Sequence, residues 1–198
     1  MRPIGLNKRN LYFHSKKKIH KGKKYKRGNL SNDFKTIKQT KHEKGTFGWF
    51  QMDTIVGKEK KSACLTLTEE LTKFTFLKKL KEKNSTEVLE TLKQIFKNKL
   101  LKKHLKGIIT DQGKEFWNWK DIEKHLKTNA YFCDKGSPTQ KPIVKRMNRD
   151  IRWELPKSTD FRIIKQDKID WIINTINDKI RPCLNWETST QLFNKYIK

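Results

Sequence analysis

Acidic residues are scarce in this 198-residue chain: 21 Asp and Glu stand against 47 Lys and Arg, a formal net charge of +26. Cysteine is scarce too, with only Cys64, Cys133 and Cys183, far apart and without a C-x-x-C pair. That excludes a disulfide framework and a thiolate zinc site, and a reduced cytoplasmic or nucleoid setting is expected. Long apolar runs are missing. No stretch approaches the ~20 residues of a spanning helix, and the basic N-terminus lacks a signal peptide's apolar segment, so no membrane role is expected. Hydrophobic residues reach only 34%, yet 11% aromatics with six Trp exclude disorder throughout, because such a content builds a core.

The shortage of acids limits the partners. A compact positive chain repels itself and attracts polyanions, nucleic acid first and anionic membrane surface second. A Lys-, Asn- and Ile-rich composition also follows from an AT-rich genome. Codon bias, however, exchanges Arg for Lys and does not remove acids. Half of the charge lies in residues 1–46, where 15 Lys and Arg face only Asp33 and Glu43. The run from Lys16 to Gly28 has no apolar periodicity and reads as a disordered basic arm or linker. Its Lys23, Lys24, Lys26 and Arg27 are candidate phosphate contacts; a solvated tail is the plainer alternative.

From Phe47 the pattern is that of a folded domain, assigned to 47–198. Gly48 to Gly57 (GWFQMDTIVG), Ser62 to Thr68 and Lys73 to Leu80 read as three strands of a meander. Asn84-Ser85-Thr86-Glu87 marks a helix start, with Val88, Leu89, Leu92, Ile95 and Phe96 at helical spacing behind it. Gly107 to Thr110 is a short strand, Trp117 to Lys127 a helix and Ala130 to Cys133 another strand. A helix follows with Val144, Met147, Ile151 and Leu155 inward, ended by Leu155-Pro156. A last one fits Gln166 to Ile180, followed by further helical matter. This order predicts an α/β fold, a mixed five-stranded sheet flanked by helices.

Two carboxylates are out of place. Asp53 falls inside a strand and Asp111 directly after one, and carboxylates are poor strand residues. Paired on neighbouring strands they could hold a hard cation such as Mg²⁺, and two such ions could clamp an in-line phosphoryl transfer. The bland alternative puts Asp53 at a solvent-facing strand end and Asp111-Gln112-Gly113 in a turn.

Four stretches carry a family resemblance: GWFQMDTIVG, Thr110 to Phe116 (TDQGKEF), Tyr131 to Arg152 (YFCDKGSPTQKPIVKRMNRDIR) and Leu155 to Asp160 (LPKSTD). In this order and spacing they resemble the catalytic core of bacterial DDE transposases, most of all the insertion-sequence-thirty family, over roughly Lys44 to Phe193. The resemblance implies a ribonuclease H-like fold and a centre in which two Asp and one Glu hold two Mg²⁺ ions, with Mn²⁺ as substitute. It implies cleavage of a DNA strand and joining of its 3′-hydroxyl to target DNA. Double-stranded DNA, as element ends and target, is then the substrate. A second copy or a full-length transposase is the expected protein partner. Asp53 and Asp111 match the first two acids. The family pattern S-P-x-Q-R-G-x-x-E-N-x-N-x-x-I-R places Lys145 where the catalytic Glu belongs, Pro142 at the usual Gly and Arg146 at the usual Asn.

An ammonium cannot ligate Mg²⁺, and beside two carboxylates it would pair with them. Strand transfer by this copy is therefore expected to be impaired, and a non-catalytic DNA-binding regulator of an intact transposase is the alternative. Asp150 and Glu154 lie off the face of position 145; Asp134 could reach the centre only through loop geometry. No helix-turn-helix precedes Phe47, so the chain reads as a core truncated at its amino end. Lys145, Asn148, Arg149 and Arg152 share a helical face suited to phosphates, or simply to solvent. Trp117 and Trp119 could stack on bases, or divide into one core and one rim residue. Phe116 is expected in the core and Glu115 beside the centre or at a helix start. The five His form no metal-ligand pair.

Overall fold

The computed structural model describes residues 33–198 except Lys44 and Lys61. In chain order the regular elements are β1 (Lys35–Thr36), β2 (Trp49–Val56), β3 (Ala63–Glu69), β4 (Thr75–Leu80), α1 (Ser85–Ile95), α2 (Lys99–Lys103), β5 (Gly107–Thr110), α3 (Trp119–Leu126), β6 (Asn129–Phe132), α4 (Pro142–Glu154), α5 (Gln166–Asn177) and α6 (Ser189–Tyr196). The strands form one mixed sheet in the order β1-β6-β5-β2-β3-β4. β2, β3 and β4 make the antiparallel meander, and β5, β6 and β1 continue from β2 in parallel.

The sheet has six strands where the sequence predicts five. The extra one is a two-residue edge strand, Lys35–Thr36, which pairs with Tyr131 and Phe132 of β6. It is too short to show alternation, and its existence depends on a partner almost a hundred residues away. It also lies inside the stretch read as a basic arm, so the structured part begins before Phe47. Lys23, Lys24, Lys26 and Arg27 fall outside the described residues.

Period-2 alternation divides the strands between two cores. Phe50, Met52, Leu65 and Leu67 face α1 and α3 and pack with Val88, Leu92, Phe116 and Ile122. Ile55 and Cys64 point the other way, into a cluster with Met147 and Ile151 of α4 and Ile169, Ile172, Ile173 and Ile176 of α5. Helices thus cover both faces, as the βα alternation requires. The start of α1 is the one read from sequence: the Asn84 side chain accepts from the Glu87 amide at 2.8 Å. The Glu87 carboxylate turns instead to the Lys81 amide. Asn177 closes the other side. Buried at the end of α5, it accepts from the Thr75 amide and donates to the Thr75 carbonyl, fastening α5 to β4.

All three cysteines are free, Cys64 and Cys133 buried and Cys183 exposed. Burial pushes the Cys64 thiol up to about 12, so almost no thiolate forms there near neutrality. The native protein should release one equivalent of thionitrobenzoate from Ellman's reagent at mildly alkaline pH, from Cys183, and three after unfolding. Rapid release of all three from the native chain would contradict this packing.

Candidate functional site

The site is built where β5 ends beside β2. The parallel register pairs Trp49 with Gly107, Phe50 with Ile108 and Gln51 with Ile109. Continued by two places, it sets Asp53 level with Asp111, just beyond β5. The structure thus brings together the two acids singled out in the sequence. Their surroundings differ. The Asp53 side chain is 20% exposed and that of Asp111 49%. Burial pushes the Asp53 carboxyl above its ordinary value, Lys141 opposes the rise and the charge of Asp111 adds to it.

Between the two acids lies Lys141. Its Nζ is 3.1 Å from Asp111 Oδ2 and 3.4 Å from Asp53 Oδ1, and it donates to the Met52 carbonyl at 2.9 Å. Its side chain is 3% exposed. The sequence assigned the pairing role to Lys145, one helical turn further on; the residue seen between the carboxylates is Lys141. Lys145 itself is on the exposed side of α4. It is close enough to Cys133 to act on its thiol. That thiol is pushed up to about 11 by burial; Asp111 and Asp134 add to the rise, whereas Lys141 and Lys145 oppose it.

The amino end of α4 is held from the sheet. Lys141 at the cap position makes no side-chain cap, and Pro142 follows at the first helical position, where its missing N–H costs nothing. The next two amides, of Ile143 and Val144, donate to Gln51 Oε1 at 3.0 and 3.1 Å. Gln51 Nε2 donates to Glu70 Oε1 at 2.8 Å, and the other Glu70 oxygen meets His42 Nε2 at 2.7 Å. Sequence reasoning overlooked Gln51. The available signal was its spacing, since alternation puts Gln51 on the same face of β2 as Asp53.

The α4 residues proposed to face DNA divide. Asn148 Nδ2 donates to Asp53 Oδ2 at 3.1 Å, so this side chain turns to the acids. Arg152 Nη2 donates to the Val56 carbonyl at 2.7 Å, and Nη1 to the carbonyls of Leu155 and Pro156. Arg152 thereby ties the end of α4 to the end of β2, its guanidinium meeting one carbonyl of β2 and two of the segment that follows the helix. Arg149 is exposed.

Glu115 stands next to the centre, as expected. Its Oε1 accepts from Thr54 Oγ1 at 2.8 Å and pairs with Lys83 at 3.0 Å. Phe116 is buried in the core. Trp119 packs inside, whereas Trp117 is half-buried with the Lys114 ammonium 5.8 Å from its ring centre. Asp134, the possible substitute acid, accepts from Gln140 Nε2 at 3.0 Å and pairs with Lys38 at 2.8 Å. Asp150 is directed to Arg181, 3.7 Å away. Among the described residues, no group of three or more His, Cys, Asp and Glu could hold a metal ion.

Residues 43–138 match the family described as integrase core domain. Across 190 residues the chain is 48% identical to the protein named Putative integrase ORF3 of Spiroplasma virus SpV1-R8A2 B, covering 96% of this chain and 58% of that protein. Over 152 residues it is 25% identical to the Escherichia coli K12 transposase InsI of insertion element IS30A, covering 77% of this chain and 39% of that one. The chain therefore spans about half the length of the curated relatives it matches. In structure it resembles the catalytic core domain of BIV integrase, with a TM-score of 0.56 at 15% identity over 75% of this chain and 94% of the other.

The fold is therefore ribonuclease H-like, and the chain carries an integrase core of the DDE transposase and integrase kind. Members of this family are polynucleotidyl transferases and generally work with divalent metal ions. The residues present do not fit that ion centre. Two carboxylates stand side by side with an ammonium between them, and among the described residues no third Asp, Glu, His or Cys joins them as a metal-holding group. Ammonium groups donate hydrogen bonds and have no lone pair to give a metal.

Proposed function

We propose that this chain acts in DNA transposition or integration as a duplex-binding core whose own strand cleavage and transfer are impaired. The observation that supports the reading is the side-by-side pair Asp53 and Asp111 with Lys145 in the third place, on a fold of the integrase kind. The +26 charge supports duplex DNA as the partner. Lys145, Asn148 and Arg149 of α4, with Lys23, Lys24, Lys26 and Arg27, are the residues we assign to it, at the nucleoid. Asp53 and Asp111 are the residues we assign to Mg²⁺ or Mn²⁺ in a restored centre.

Lys145→Glu returns the third oxygen donor. In Mg²⁺ or Mn²⁺, on an element-end duplex, the wild type should give no joined product, and Lys145→Glu combined with Lys141→Met, which also clears the ammonium from between the acids, should give joining above that background. Robust joining by the wild type would overturn the impairment. Binding of duplex DNA by the wild type should weaken as salt rises, log affinity falling with log salt by roughly 0.9 per phosphate neutralised. A flat response would overturn the DNA reading.

The charge balance at the centre favours a second role, that of a non-catalytic regulator. The two carboxylates there are bridged by the Lys141 ammonium, so a chain of this kind could enter an assembly of itself or of a full-length transposase without cutting. Added to an intact relative, it should lower joining without changing the metal requirement. Unchanged joining at excess of this chain would rule that role out.

A further inference from the structure

We propose that Lys141 is the resident counter-ion of the Asp53–Asp111 pair, an ammonium fixed where the carboxylates would otherwise draw a divalent cation, so that the centre is complete without metal. This goes beyond the impairment assigned to Lys145, and it rests on the geometry alone, not on DNA binding.

An ammonium has three N–H groups, and here three acceptors surround it: Asp111 Oδ2, Asp53 Oδ1 and the Met52 carbonyl, at 3.1, 3.4 and 2.9 Å. The Met52 carbonyl matters most, because it belongs to the sheet and does not move with a side chain. Lys141 is placed from the main chain as well. It immediately precedes α4, whose first turn is fastened to Gln51 of the same strand. The acids therefore close on a cation delivered from a fixed point. The side chain is also almost fully buried, so the ammonium has no solvated position close by.

A divalent ion would have to displace it twice over. It must take both carboxylates from Lys141, and the ammonium, left with one carbonyl, must leave a buried position or remain there uncompensated. With Lys141 between them the three side chains carry one net negative formal charge, so the centre pulls less on a dication than two bare carboxylates would.

The test uses the full chain and reads heat stability and Mn²⁺ uptake, not joining. For the wild type, the melting temperature should be the same in EDTA and in millimolar Mn²⁺, and calorimetry should record no Mn²⁺ binding. Lys141→Met removes the ammonium at similar volume and leaves two facing carboxylates. Its melting temperature in EDTA should fall by about 10 °C, as expected for breaking a buried pair, and millimolar Mn²⁺ should restore much of that loss. Lys141→Arg keeps the charge and should stay indifferent to Mn²⁺. A wild type that binds Mn²⁺ and melts higher in it overturns the proposal, and this arm decides alone if Lys141→Met fails to fold. A folded Lys141→Met with unchanged melting and no Mn²⁺ response overturns it equally.

Discussion

Gln51→Leu is expected to cost about 3 kcal/mol of stability and to free the amino end of α4. A helix begins with four amides that have no partner inside it. Pro142 has none to satisfy, and Gln51 Oε1 takes those of Ile143 and Val144. Leucine fills nearly the same space but accepts nothing. It would leave two helix amides without their acceptor and the Glu70 carboxylate without the Gln51 donor, in a place where Gln51 is only 2% exposed. Each such group costs about 1–3 kcal/mol when buried without a partner. For a domain of this size the melting temperature should fall by roughly 10 °C. Hydrogen exchange supplies the diagnostic reading. Protection should be lost first at Ile143 and Val144, while Val88 and Leu92 of α1 keep theirs relative to the new global stability. An unchanged melting temperature with unchanged protection at Ile143 would show that Gln51 does not hold this helix. The consequence reaches the acids, because Lys141, Lys145 and Asn148 all take their positions from the same helix end.

This dependence explains which parts of the site could be read from sequence. Asp53 and Asp111 were legible because a carboxylate in or beside an apolar strand is anomalous, and because the βα order makes the two strands neighbours. The Asn84 cap was legible because it acts within three residues. Gln51 acts across 92 residues, and nothing local distinguishes it from any polar residue of a half-buried strand. Lys141 is illegible in the sequence for a different reason. Its long stem can carry the ammonium several ångströms from the backbone, so the register fixes its Cα but not the acids it meets. Lys145 stands where the family pattern is broken, whereas the ammonium seen between the acids comes from a position where the pattern already allows a cation. Arg152 has a contact that the sequence likewise did not reveal. A basic residue on an apparently exposed face suggests phosphate, but the shortest of its hydrogen bonds goes to the Val56 carbonyl, 96 residues away and adjacent only after folding. β1 was missed because two residues carry no period, and their pairing exists only once β6 is in place.

Gly48→Ala should be the most damaging small substitution at this end of the sheet, with a loss of about 4 kcal/mol or failure to fold. Gly48 has φ +105° and lies directly before β2. A Cβ there would stand 1.9 Å from the His104 carbonyl oxygen and 3.1 Å from its carbon. That obstacle is main chain, not a flexible side chain. Turning Gly48 away is equally costly, since its amide donates to the buried Glu69 carboxylate at 3.1 Å and its carbonyl accepts from Lys106 at 2.9 Å. The chain must instead separate β2 from the segment entering β5, which disturbs the Trp49–Gly107 pairing. Any shift of that pairing moves Asp111 relative to Asp53, so the Lys141 bridge should weaken with it. Gly45→Ala supplies the control. Gly45 also has a positive φ, +83°, but nothing lies within 4 Å of an added Cβ, so it should lose only about 1 kcal/mol for its backbone conformation. The difference between the two variants in thermal unfolding isolates the overlap with His104 from the conformational cost they share. Equal losses would mean that the close approach of β2 and β5 is not what glycine at position 48 secures.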